Sequence, residues 1–468
     1  MLIDGKLVES GSRFANISPT TEEIIGYAEE ATAEDMDAAI AAARRAFDET
    51  DWATDHAFRR RCLTQLGDAI RDDVEELRRI DVAELGVLVT TTGLTIDTML
   101  PRIAQLAELA ETYGYEQPLP NDAGILRREA VGVVAAVLTW NCGFYLWIEK
   151  VLPALAAGNT VVVRPAPETP WGSTFIARLI AERTDIPAGV VNVVTSSSPA
   201  RAVQLTEDPR VDMVSFTGST AVGRQVMAQA AGTVKKLVLE LGGKSANIVL
   251  DDGDLEAAVA ASVGQSCALA GQMCGMLSRL LLPRSRYEEG IALAAAMMRD
   301  VEVGDPADPA TRQGPQVSAA HRDRILGLIA TAREEGARVV VGGGVPDVAR
   351  GFYVQQTLLA DVDPDSTIAQ TEVFGPVVCV IPYDDDDEAV RIANNSIYGL
   401  SGAVWSADRE RALTVARRVR TGVVAVNGAH YFQNAPLGGY RQSGLGRETG
   451  LWGFEEYLEV KGIGVAPA

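Results

Sequence analysis

Residues 211–244 read VDMVSFTGSTAVGRQVMAQAAGTVKKLVLELGGK. The apolar run over 211–216 predicts a strand, Gly218 and Ser219 a turn, 220–231 a helix and 234–240 a second strand. Two short apolar strands joined by a helix form a βαβ unit, whose strands pair in parallel and are covered on both faces. The rhythm continues upstream, with strands predicted at 131–138, 160–164 and 190–194 and helices at 146–157 and 172–183. Two further helices are predicted over 33–48, with Thr32 and Asp35 as capping residues, and over 55–85. After 245 the alternation resumes, with strands at 247–250, 279–282, 377–381, 403–405 and 423–426 and a helix over 318–335. The expected class is therefore α/β, with a second α/β domain following the first. The pairs Gly242-Gly243 and Gly438-Gly439 bracket that second unit as hinges or tight turns.

The 468 residues carry 42 Lys and Arg against 63 Asp and Glu, a net charge of −21. Such a polyanion is repelled by nucleic acid and by anionic membranes, so neither is expected as a partner. The five cysteines are odd in number and show no CxxC spacing, which argues for free thiols in a reducing compartment. The three histidines stand in no metal-ligand spacing, so no metal is expected. The N-terminus has no signal-peptide pattern and no apolar run reaches the ~18 residues of a membrane span, so a soluble cytoplasmic protein is expected. The acidic run 384–387 reads as a solvated turn at a helix start.

Four segments carry chemistry. Cys274 lies between Gly271 and Gly275, where the backbone permits close approach of a ligand, whereas Cys267 in an Ala-rich stretch reads as core. Glu240 ends a strand and precedes Gly242-Gly243; carboxyl ends of parallel strands hold catalytic groups, so it is either a general base or a salt-bridge partner of Lys244. The turn 216–224 offers free N–H groups and a helix dipole to a phosphate, or is an ordinary βα turn. Asn141, after the strand at 131–138, offers an amide N–H to a developing oxyanion, or serves the turn itself.

Taken in order, these segments resemble the NAD(P)-dependent aldehyde dehydrogenase superfamily over nearly the whole chain. Residues 239–244 are similar to its general-base motif, and 271–274 with Arg279 to its nucleophile motif, 34 residues separating Glu240 from Cys274. Residues 150–170, 216–223, 371–376, Asn427 and 436–448 fit its other segments. The resemblance implies a Rossmann-type cofactor domain over 1–113 and 131–241 and an α/β catalytic domain over 242–441. It also implies a small bridging β element from 114–130 and 452–468. An uncovered hairpin is an exposed sheet edge, so a homodimer or homotetramer is expected. The implied activity is oxidation of a small-molecule aldehyde to a carboxylic acid through a cysteine thiohemiacetal and thioester. Cys274 is then the nucleophile, with a thiol pKa expected below its ordinary value. Asn141 and the Cys274 N–H stabilise the oxyanion, Glu240 activates water, and Lys150 supports them. Retention of Glu240 favours hydrolysis over transfer to coenzyme A. For the cofactor, the resemblance implies Gly218, Ser219 and Gly223 at the pyrophosphate, Glu372 at the nicotinamide ribose, and Phe374, Trp140 and Leu241 around the ring.

Several positions depart from the family pattern. Arg164-Pro165-Ala166-Pro167 replaces the usual Lys-Pro-x-Glu, and Glu168 is displaced by one residue. NAD is favoured, while an Arg beside a lost ribose-binding acid leaves NADP as the alternative. Cys142 and Leu437 stand where aromatics usually line the substrate pocket, with Tyr145, Leu146 and Tyr431 as further wall residues. Cys142 reads as a wall residue, a mixed disulfide being its other role. A semialdehyde dehydrogenase is the alternative within the class, with Arg102, Arg279 or Arg441 to grip a distal carboxylate. A silent scaffold is disfavoured because Cys274, Glu240 and Asn141 are all present, and a cofactor-independent thiol esterase because the turn 216–223 and Glu372 are.

Overall fold

The strand–helix alternation builds two sheets in the computed structural model, which describes residues 1–429 and 435–466. The first sheet has eight strands. Its five inner strands, Lys236–Glu240, Met213–Thr217, Val133–Val137, Thr160–Arg164 and Val191–Val193, run parallel in that spatial order. Antiparallel edges flank them, Gly444–Leu445 on one side and Leu2–Ile3 with Lys6–Leu7 on the other. The second sheet orders seven strands as Arg338–Val341, Thr357–Ala360, Val377–Tyr383, Arg279–Pro283, Ala246–Val249, Gly402–Trp405 and Ala425–Val426. Only Arg338–Val341 in it runs antiparallel. Every residue of Val133–Val137, Thr160–Arg164 and Arg279–Pro283 is buried, as parallel strands covered on both faces must be. Strand Leu458–Gly464 pairs with Gly124–Ala130, which pairs with Glu116–Pro118, in a separate three-stranded sheet.

Thr32 caps Ala33–Glu49 in a capping box with Asp35, as the sequence suggests. The helix expected over 55–85 is instead two, His56–Asp72 and Val74–Leu85, broken at Asp73. Arg183 donates to both Asp72 and Asp73 at the break. The helix expected over 146–157 is also interrupted. Gly143–Leu146 and Leu152–Ala156 flank a wide π turn over Trp147–Val151. Pro153 has no N–H to give the carbonyl four residues earlier, and a locally widened turn accommodates its ring. Strand pairs near the N-terminus, Arg13–Ile17 with Ile24–Glu29, and the strands Arg338–Val341 and Thr357–Ala360 were not expected from the sequence. No helix among the described residues is long and apolar enough to cross a membrane.

Candidate active site

Glu240 is the last residue of strand Lys236–Glu240, and the parallel neighbour Met213–Thr217 ends opposite it at Thr217. The chain leaves that strand through Gly242 and Gly243, which serve close approach rather than hinging. A Cβ on Gly242 would stand 2.3 Å from Glu372 Oε2, and one on Gly243 would stand 2.4 Å from the Cys274 carbonyl oxygen. The base-motif loop thus lies directly on the nucleophile loop. Gly438 (φ 149°) closes the other side, where a Cβ would meet Glu240 Oε1 at 2.8 Å.

The loop bearing Cys274 follows three consecutive residues in the left-handed region, Leu269, Ala270 and Gly271. Two of these are not glycine, a strained arrangement of the kind held at functional sites. Gln272 locks the loop: its Oε1 accepts from Val317 N at 2.9 Å and its Nε2 donates to Leu269 O at 2.8 Å. Asn141 Nδ2 donates to Gln272 O at 2.9 Å, tying the segment after strand Val133–Val137 to the cysteine loop. The sequence did not mark Gln272; only its place two residues before Cys274 offered a signal.

The Glu240 carboxyl is buried, and its Oε1 has no hydrogen-bond partner among the described residues. Burial, then Glu448, push its pKa well above the usual carboxylate range, against Lys150 and Arg447. No salt bridge to Lys244 forms; Lys244 Nζ is itself buried without a partner among the described residues. Lys150 is fully buried, donating to Glu448 Oε1 at 2.5 Å and Ser215 Oγ at 3.4 Å. Glu448 is therefore a site residue that its place in the sequence, 298 residues from Lys150, did not single out.

The Cys274 thiol departs from the sequence expectation of a lowered pKa. Burial first, then Glu372, Glu240 and Glu448, push it up to about 12, opposed by the Gly275 N–H. Three carboxylates from distant segments converge on one thiol, and like charge disfavours the thiolate.

On the cofactor side, Ser219 caps helix Thr220–Ala230, its Oγ accepting from Val222 N at 3.3 Å. Gly218 and Gly223 are packed too closely by Phe216 and Leu241 to carry a side chain, which keeps the turn and the first helical turn bare. A Cβ at Gly218 would lie 2.4 Å from Phe216 Cζ, and one at Gly223 would lie 2.6 Å from Leu241 Cδ2. A bare turn at a helix N-terminus suits a pyrophosphate, so the residues present fit a dinucleotide. Glu372 Oε1 accepts from Gly243 N at 3.0 Å, and burial pushes its carboxyl up to about 7. The rings of Trp140, Phe374 and His321 meet edge to face, with Trp140 5.2 Å from each of the other two. His321 Nε2 lies 2.7 Å from Phe374 O, and burial pushes the imidazole down to about 4, so the neutral ring donates an Nε2–H. Farther off, Arg164 donates to Ser196 O at 3.0 Å while its Nε lacks a partner among the described residues. Ala166 is buried, and Pro167 and Glu168 are half-buried. Burial raises the Glu168 carboxyl, against the pull of Arg164.

Of the pocket residues, Cys142 starts the short helix Gly143–Leu146; burial, then Cys274, raise its thiol. Tyr145 is half-buried, Leu146 buried, and Leu437 exchanges backbone hydrogen bonds with Glu448. Tyr431 lies outside the described residues. The three arginines considered for a distal carboxylate are engaged elsewhere. Arg102 pairs with Glu149, Arg279 donates to the carbonyls of Lys244, Ile392 and Ala393, and Arg441 to those of Asn394 and Ser396.

A strand-end carboxylate and a half-buried cysteine on adjoining loops, beside a glycine turn at a helix N-terminus, suit a dinucleotide-dependent oxidoreductase, and the comparisons give the family. The aldehyde dehydrogenase family profile matches residues 7–463. The chain belongs to that family and is an NAD(P)-dependent aldehyde dehydrogenase. It is 41% identical to a 3-succinoylsemialdehyde-pyridine dehydrogenase of Pseudomonas, covering 98% of this chain and 97% of the other. It is 40% identical to the geranial dehydrogenase of Castellaniella defragrans, over 97% and 96% of the two chains. The crystal structure of a Mycobacterium tuberculosis aldehyde dehydrogenase complexed with NAD+ superposes with a TM-score of 0.96 at 39% identity, covering 99% and 97%.

Proposed function

We propose that the protein oxidises its aldehyde to the free acid through an acyl-Cys274 intermediate that Glu240 hydrolyses. The observation that carries this reading is the buried Glu240 carboxyl, one oxygen without a partner among the described residues, at the end of a strand whose following loop packs directly against Cys274. Cys274 gives up its proton to solvent and its Sγ bonds to the aldehyde carbon; the carbonyl oxygen becomes an oxyanion held by the Asn141 amide and the Cys274 N–H. NAD, when bound, supplies the acceptor for the hydride that leaves this carbon. With the thioester formed, Glu240 takes a proton from water as its oxygen attacks, and the C–S bond breaks to release the acid. Lys150 holds Glu448 so that its charge acts on Glu240.

Gly218, Ser219 and Gly223 would hold the pyrophosphate, and Glu372, Phe374, Trp140 and Leu241 the nicotinamide end. NAD is the preferred cofactor and NADP a weaker one, with Arg164 and Glu168 at the adenosine end. Cys142, Tyr145, Leu146 and Leu437 would form the pocket wall. Residues 1–113 with 131–241 would act as the cofactor domain and 242–441 as the catalytic domain. Residues 114–130 and 452–468 would bridge subunits of a homodimer or homotetramer. The outward strand Leu458–Gly464, with Val460 62% exposed, supports that role. Five free cysteines support a cytoplasmic location. The test is nicotinamide reduction by purified protein over aliphatic, aromatic and carboxylated aldehydes, with NAD and NADP in parallel. Turnover lost in Cys274→Ala supports the reading, and turnover retained in that variant ends it.

A further inference from the structure

Glu149 and Lys150 are neighbours on the wide turn Trp147–Val151, and Glu448 and Thr449 are neighbours on the C-terminal segment facing it. Side chains cross between the two pairs. Lys150 Nζ donates to Glu448 Oε1 at 2.5 Å, and Thr449 Oγ1 donates to Glu149 Oε2 at 3.0 Å. Arg102, from helix Leu100–Thr112, engages both oxygens of Glu149, through NH1 and through NH2 at 3.3 Å. Glu149 and Lys150 have no exposed surface, so Glu149 stands behind the pocket wall rather than on it. An ion at that depth persists only when fully paired, and its partners hold it in one geometry.

The segment so held continues to the base. Glu448 bridges to Leu437, and the next residue, Gly438, packs on Glu240 Oε1. Arg102, Glu448, Lys150 and the Tyr145 hydroxyl face Glu149. Glu448, Lys150, Arg447, Glu149 and Cys274 face Glu240. We propose that Glu149, clamped by Arg102, is a positioning residue that sets the segment 448–449 and thereby the aim of the Lys150–Glu448 pair at Glu240. The proposal rests on Glu240 being the base that hydrolyses the acyl-enzyme.

Two variants of the full-length enzyme test it. Arg102→Met with Glu149→Leu removes both charges and leaves no orphan ion, a replacement buried pairs commonly tolerate. Glu149→Gln keeps one oxygen able to accept from Thr449 and Arg102 NH2, and removes the charge together with the bond that the other oxygen takes from Arg102 NH1. Each is assayed with saturating aldehyde and NAD for KM, kcat against pH and, after acid quench, the acylated fraction of Cys274. In the double variant acylation stays within about twofold, while hydrolysis slows about tenfold and acyl-Cys274 accumulates. In Glu149→Gln hydrolysis stays within about threefold, but the acid limb of kcat moves down by about half a pH unit, because the negative charge that Glu149, its carboxyl pushed up by burial to about 7, turns toward Glu240 above that pH is gone. Unchanged hydrolysis with an unchanged acid limb overturns the proposal. So does a change confined to KM, or equal loss of acylation and hydrolysis. Where the double variant fails to fold, the acid limb of Glu149→Gln decides alone. Wild-type enzyme that reduces no nicotinamide overturns the catalytic reading and the proposal with it; wild-type turnover with unaltered variants overturns the proposal alone.

Discussion

Substituting Gly438 by alanine should disable hydrolysis of the acyl-enzyme while leaving its formation nearly intact. The residue sits at φ 149°, and its new Cβ would lie 2.8 Å from Glu240 Oε1, 2.9 Å from Gly446 O and 3.0 Å from Arg447 Cδ. Ordinary van der Waals contact begins at 3.4 Å, so the Glu240 carboxylate must retreat by a few tenths of an ångström. A misplacement of about 1 Å at a reacting group costs on the order of 100-fold, so about 10-fold or more is expected in the hydrolytic step here. The backbone conformation adds a stability cost of about 1–3 kcal/mol. With an unfolding entropy of roughly 1 kcal/mol/K for a chain of this size, the melting temperature falls by only about 1–3 °C. Gly336→Ala is the control. It shares a positive φ, 97°, yet has nothing within 4 Å of the built Cβ, so it should lose comparable stability and no activity. Rapid quench separates the first turnover from the steady state. A Gly438→Ala enzyme with unchanged steady-state rate, or with acylation and hydrolysis slowed alike, would refute the argument that this glycine makes room for the base.

Three further outcomes are expected. Alkylation of Cys274 in the cofactor-free enzyme should rise with pH without a plateau below about 10, because only the thiolate reacts and the thiol is pushed up to about 12; Glu372→Gln should accelerate it at neutral pH by removing a facing negative charge. A plateau near pH 8 contradicts that reading. Asn141→Ala removes the amide and its tie to Gln272 O, and should lower kcat/KM by about 10²–10³ through slower acylation, read from the first-turnover rate. Arg164→Ala should raise the KM for NADP more than that for NAD if the guanidinium tolerates a 2′-phosphate; equal changes assign Arg164 to packing, where its bond to Ser196 O already places part of it.

The parallel core was legible because strands buried on both faces are written as uninterrupted apolar runs, as in Val133–Val137 and Thr160–Arg164. Motif order brought out Cys274, Glu240 and Asn141 together. The break at Asp73 and the wide turn at Trp147–Val151 escaped the sequence because the helical apolar pattern runs on through both, Pro153 included. The short strands Leu2–Ile3 and Lys6–Leu7 carry too few residues to show a period. The pairing of Glu448 with Lys150 and of Arg102 with Glu149 spans 298 and 47 positions, and no local pattern encodes it. The same long-range convergence explains the thiol. The nucleophile role that the resemblance implies led to an expected lowered thiol pKa, but folding sets Glu372, Glu240 and Glu448 around the thiol.

The measurement that tests the division of labour most directly is the peptide mass of acid-quenched Glu240→Gln enzyme after mixing with aldehyde and NAD. A first turnover of nicotinamide reduction, followed by near-complete acylation of the peptide containing Cys274 and almost no further turnover, is the predicted result. Full multiple turnover without an acyl adduct, or an adduct carried by Cys142 instead, would contradict it.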